Sequence, residues 1–81
     1  MVTPNWLRSR LAANLRAARA RADVGQEELA AAMRALGFDT WLRQTVSASE
    51  HEGRRILAEE IFGLASALGI TPAKLMDVAD D

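Results

Sequence analysis

The stretch RQTVSASEHEGRR, residues 43–55, decides how the rest of the chain is read. It starts as a helix should, yet Val46 is its only large apolar side chain. Gln44, Thr45, Ser47, Ala48 and Ser49 are short, small or polar. A helix buried on one side normally shows three or four apolar positions per two turns. This one turns at Gly53 and finishes on two adjacent arginines, Arg54 and Arg55. It reads as a helix with one inward anchor, Val46, and an outer side that faces something other than protein interior.

Working outward, the flanking segments have the apolar spacing that residues 43–55 lack. Before it, QEELAAAMRAL (residues 26–36) places Leu29, Ala30, Met33 and Leu36 on one helical face, and Gly37 is its stop. The connection GFDTW (residues 37–41) offers Asp39 or Thr40 as a cap for the next helix, which is expected to run to about His51. Phe38 and Trp41 are expected to pack and fix that connection. At the front, Thr3-Pro4 is a cap followed by a proline suited to a first helical turn. Leu7, Leu11, Leu15, Ala18 and Ala22 then form a stripe, broken at Asp23, Val24 and Gly25. After Gly53 a fourth helix over residues 57–68 turns Ile61, Leu64, Ala65 and Leu68 to one side, and Gly69 ends it. Thr71-Pro72 repeats the cap-plus-proline signal and opens a short fifth helix with Leu75 and Met76. No stretch alternates as a strand would. The expected fold is all-α: one compact five-helix domain over residues 1–81, with its central helix pair at about 26–51.

Composition narrows the classes of function. With 81 residues and 49% hydrophobic side chains there is one small core. There is no cysteine, so disulfides and thiolate metal sites are excluded. No run approaches the ~18 apolar residues of a membrane span, and no secretory signal pattern opens the chain, so a cytoplasmic protein with no membrane partner is expected. The net charge of −1 hides a polarity. Residues 1–55 hold nine arginines against six acids, and residues 56–81 one lysine against five acids. The first part can present a basic face while the other end stays acidic.

Taken in order, VGQEELAAAM, QTVSASEHEGRR and LASALGITPAKLM resemble the phage repressor and Cro-like (XRE) helix-turn-helix family over nearly all of residues 11–78. That resemblance implies a lambda-repressor-like fold. It also implies a sequence-specific DNA-binding transcriptional regulator, a repressor in the family's manner, whose third helix enters the major groove of a palindromic operator as a homodimer. It assigns base contacts to Arg43, Gln44, Thr45, Ser47 and Ala48. Arginine suits guanine and glutamine suits adenine. It assigns phosphate contacts to Gln26, at the start of the second helix, and to Arg54 and Arg55. It also pairs Arg19 with Glu50 as an internal ion pair. The chain departs from the family pattern in four places. Gly25 replaces a hydroxyl cap, and the connection before the third helix is several residues longer. Ala48 stands at a commonly polar position. Ser49 replaces a large aliphatic residue, which is expected to weaken the packing of the third helix.

Other features have plainer readings. Trp6 and Trp41 are expected to be packing residues. Glu27 and Glu28 suit the positive end of a helix dipole. His51, the only histidine, has no ligand cluster around it, so neither a metal nor another cofactor is expected. Ser47, Glu50 and His51 lie on one short helix without a pocket, which argues against an enzyme and its small-molecule substrate. Leu75, Met76 and Val78 have two readings, core closure or a dimer contact. The rival to DNA binding is a protein-interaction module on the same fold, antitoxin-like or an adaptor. Ala48, Ser49 and the acidic net charge favour it.

Overall fold

Each helix begins and ends where a local device allows it. The computed structural model describes residues 4–51 and 53–77. It contains α1 (Asn5–Ala22), α2 (Gln26–Ala35), α3 (Arg43–Glu50), α4 (Ala58–Leu68) and α5 (Pro72–Leu75), with no strand among the described residues. The all-α, five-helix architecture is therefore the observed one. Pro4 precedes α1 and Thr3, the expected cap, lies outside the described residues. Asp23 ends α1 in the left-handed region, at φ 56°, a conformation its short polar side chain tolerates. Gly69 does the same for α4 at φ 71°, and Ile70 N–H reaches back to the Ala65 carbonyl at 3.0 Å. Thr71 Oγ1 accepts the Lys74 N–H at 3.1 Å and caps α5. Gly25 has no side chain to cap α2, but its own N–H donates to the Glu28 carboxylate at 3.0 Å.

One cluster forms the core. Leu15 and Ala18 come from α1, and Leu29, Ala30 and Met33 from α2. Trp41 comes from the connection, Val46 from α3, Leu64 and Leu68 from α4, and Leu75 from α5. The α3 helix packs on α2 and α1, α4 packs on α2, and α5 closes against α4 and α1. Asn14 Nδ2 fastens that last contact by donating to the carbonyls of Leu75 and Asp77, both at 2.8 Å.

Several expectations need correction. The apolar stripe of α1 does not run its full length: Ala22 is exposed, and Ala12 is buried instead. Trp6 is 62% exposed and is not a packing residue. An 18-residue helix is about 27 Å long, comparable to the 31 × 27 × 19 Å extents of the whole body. Leu36 is exposed because α2 ends at Ala35 and the chain turns away there. Neither Asp39 nor Thr40 caps α3. The helix starts later, at Arg43, and Thr45 Oγ1 accepts the Leu42 N–H at 3.1 Å. The delay has a cause in packing. Trp41 is 1% exposed, and residues 37–41 must stay turned to deliver it, with Gly37 at φ 105° and Trp41 N–H bonded to the Phe38 carbonyl. Leu75 closes the core, whereas Met76 is exposed and Val78 lies outside the described residues.

Candidate nucleic-acid interface

The α3 helix is anchored by Val46, Ser49 and Glu50, all buried, at the i, i+3, i+4 spacing that defines one face. Arg43 and Gln44 are exposed at its start, and Thr45, Ser47 and Ala48 are half-buried. Thr45 has the local capping duty already described. The Ala48 carbonyl accepts the Gly53 N–H at 2.7 Å, and its methyl lies beside the Gly53 backbone where the chain leaves the helix. His51 Nδ1 lies 2.8 Å from the Ser47 carbonyl oxygen, so the ring engages backbone and not a hydroxyl.

Glu50 is 1% exposed and anchors the side of α3 that meets α1 and α2. Arg19 Nε donates to its Oε2 at 2.5 Å and Arg19 Nη2 to its Oε1 at 3.2 Å. Gln26 Nε2 donates to the same Oε1 at 3.2 Å. Arg16 Nη1 donates to the Glu50 backbone carbonyl at 2.6 Å, so a second cation meets the C-terminal end of the helix. Arg19 also holds the Val24 carbonyl at 2.9 Å. The hydrogen bond to Glu50 raises the Arg19 pKa, overcoming the opposing effect of burial, and the Glu50 charge adds to the rise. A buried carboxylate costs too much unless it is paired and hydrogen-bonded in this way. Its charge is matched from within the fold.

Arg54, for which the family resemblance implies a phosphate contact, has internal partners in the structure. Its Nη1 donates to Glu60 Oε1 and its Nη2 to Glu60 Oε2, each at 3.0 Å, a two-pronged pair. The same Nη1 reaches Ser49 Oγ at 3.3 Å, and the guanidinium lies 5.1 Å from the centre of the Trp41 ring. Glu60, only 6% exposed, also accepts from the Trp41 indole Nε1–H at 3.1 Å and from Leu57 N–H at 2.8 Å. Burial alone pushes the Glu60 carboxyl up. The hydrogen bonds from Arg54, Leu57 and Trp41, with the Arg54 charge, outweigh it and hold the group below its ordinary range. Ser49, where the family pattern has a large aliphatic residue, is buried within a polar network, donating to the Thr45 carbonyl at 2.8 Å and accepting from Arg54, so the anchor it contributes is polar.

Arg55 differs from its neighbour. It is exposed, and its side chain makes no hydrogen bond or ion pair among the described residues. The side chains of Arg43 and Gln44 are in the same condition. The Glu60 network was not foreseen from the residues. Two signals for it were present: Glu60 stands three positions after Leu57, where a capping carboxylate sits, and a buried tryptophan requires a partner for its N–H. Among the described residues no three His, Cys, Asp or Glu side chains gather as a metal site would require, and no helix is long and apolar enough to cross a membrane. The chain matches no protein-family model, no curated protein and no solved structure.

Proposed function

We propose that this chain is a sequence-specific DNA-binding regulator, not an enzyme, and that α3 is its recognition helix. The observation that carries the reading is the anchoring of α3. Its buried face is fixed by Val46, Ser49 and Glu50, its one acid is matched internally by Arg19, and Arg43 and Gln44 stand exposed at its start. A helix of this kind suits a major groove about 12 Å wide. Arg43 reads guanine and Gln44 adenine, and Ser47 lies one turn further along the same side. Thr45 and Ala48 contribute less, because each also serves the helix ends. Arg55 meets a phosphate. Gln26 keeps one amide hydrogen beyond the one given to Glu50, and it stands at the N-terminus of α2, where anions are favoured.

One such helix covers only a few base pairs, so the reading includes a homodimer on a two-fold site. The test is selection from a random duplex library. Enrichment of a palindrome with two half-sites is the expected result, and recovery of unselected sequence at low and moderate salt would sink the reading.

A protein-interaction module is the second reading, and one observation favours it. Trp6, Leu57, Phe62 and Met76 are all large, apolar and exposed. Leu7, Leu11 and Ile61, between α1 and α4, line an apolar cleft with Met76. Under the first reading this surface joins two copies. Under the second it receives another protein and no duplex is selected.

A further inference from the structure

We propose that Arg54 and Glu60 are a positioning pair that sets the pose of α3, and that Arg54 does not touch DNA; the second half rests on the DNA-binding reading above. Glu60 takes hydrogen bonds from the chain that enters α3 and from the chain that leaves it. Trp41, two residues before the helix starts, donates to Oε2. Arg54, just after Gly53, donates to both oxygens and extends to Ser49 in the last turn. One carboxylate at the start of α4 therefore clamps the entrance of α3 and, through Arg54, its exit. A helix held at both ends in this way, and at Glu50 by α1 and α2, has its tilt and roll fixed. The clamp also answers the lengthened connection, which by itself leaves the approach of α3 to DNA unspecified.

The chemistry is specific to arginine. Its planar fork reaches both carboxylate oxygens and Ser49 while stacking on Trp41, and a lysine ammonium has no such fork. Adjacent arginines thus divide the work: Arg54 orients the helix from inside and Arg55 meets the backbone from outside.

The full-length chain tests this as wild type and as Arg54→Lys, Arg54→Gln, Glu60→Gln and Arg55→Gln. Two readouts are needed. The first is the NMR resonances of the Trp41 indole N–H and of the backbone amides of residues 45–50. The second is affinity for a selected duplex across a salt series. Arg54→Lys and Arg54→Gln should both shift the indole and α3 resonances. Both should also lose about tenfold in affinity, the scale of one base contact, with the salt slope unchanged. Arg55→Gln should leave those resonances alone and reduce the slope by about 1. Glu60→Gln should behave as the Arg54 variants do, which keeps the test alive if one of them fails to fold. The proposal is overturned if Arg54→Lys binds as wild type does while Arg54→Gln loses a unit of slope. Unchanged α3 resonances in folded Arg54 and Glu60 variants overturn it as well. If the wild type selects no duplex, the DNA reading fails, and the α3 resonances alone decide the positioning claim.

Discussion

Two buried carboxylates hold α3, and they do so differently. Glu50 is on the helix itself and draws on α1 and α2, with Arg19 and Gln26 at its oxygens and Arg16 at its backbone carbonyl. Glu60 is outside the helix and acts through intermediaries, Trp41 at the entrance and Arg54 at the exit. The Arg19–Glu50 pair spans 31 positions in sequence, and Arg54–Glu60 spans six. The longer-range contact joins three helices into the core of the fold. The shorter one closes a loop and fixes how that core presents its outer helix. Removing the first should threaten the fold, and removing the second should mainly disturb the surface that α3 offers.

Glu50→Ala is the largest expected effect. It leaves the Arg19 guanidinium without its carboxylate and opens a fully buried site. Breaking a buried pair costs roughly 3–5 kcal/mol. The Arg19 side chain is 21% exposed and recovers some water, so about 3 kcal/mol is expected in chemical denaturation. A loss below about 1 kcal/mol, the usual value of an exposed pair, would remove the contrast between the two carboxylates.

How far the sequence reveals this contrast depends on the kind of force involved. Apolar spacing places Leu29, Ala30, Met33, Leu64 and Leu68, because helical periodicity and burial agree there. The Thr71-Pro72 cap is equally readable, being a local device. The start of α3 is not, since burying Trp41 overrides the capping preferences of Asp39 and Thr40. The Arg19–Glu50 pairing becomes readable only through a family resemblance, as nothing local connects residues 31 positions apart. Arg54 and Arg55 are indistinguishable in sequence. Which of them turns inward depends on where α4 places Glu60, and that is a tertiary fact.

Trp41→Phe probes the second carboxylate at one donor. The ring still fills its place, but Glu60 loses the indole N–H. Hydrogen bonds to charged groups contribute roughly 1.5–3 kcal/mol, so a loss of about 2 kcal/mol is expected. The same carboxylate has a pH signature. Its folded pKa lies below the ordinary glutamate value, so its stabilisation is complete above that value, about 4.3, and is lost as pH falls through the lower folded one. The stability gap between wild type and Glu60→Gln should therefore be widest near pH 7 and shrink below about pH 4.3. A gap that stays constant down to pH 3 would show that Glu60 titrates as an ordinary carboxyl.

Gly63→Ala tests whether the long connection is packed as tightly as the clamp requires. A Cβ there would lie 2.6 Å from Phe38 Cε2 and 3.1 Å from Met33 Cε, so α4 approaches the connection through the missing side chain. Overpacking costs roughly 1–3 kcal/mol, while the helix preference of alanine over glycine returns about 1 kcal/mol. Phe38 is only half-buried and can swing outward, so the net loss should be about 1 kcal/mol. The Trp41 fluorescence should shift as its neighbour moves. A gain in stability would mean that Phe38 is loosely held and does not help to fix the connection.

Trp6→Ala carries the smallest expected change in stability, and its value lies in separating the two tryptophans. Trp41 is enclosed and bonded to Glu60, whereas Trp6 stands 62% exposed in the first turn of α1. Substitution of an exposed side chain outside such networks normally stays within about 0.5 kcal/mol, and that is expected here at concentrations where the chain is monomeric. Sedimentation as a function of concentration gives the second measurement. If Trp6 belongs to the apolar surface that joins two copies, the variant should associate more weakly with its monomer stability unchanged. Equal loss of both would place Trp6 in the fold after all, against its exposure.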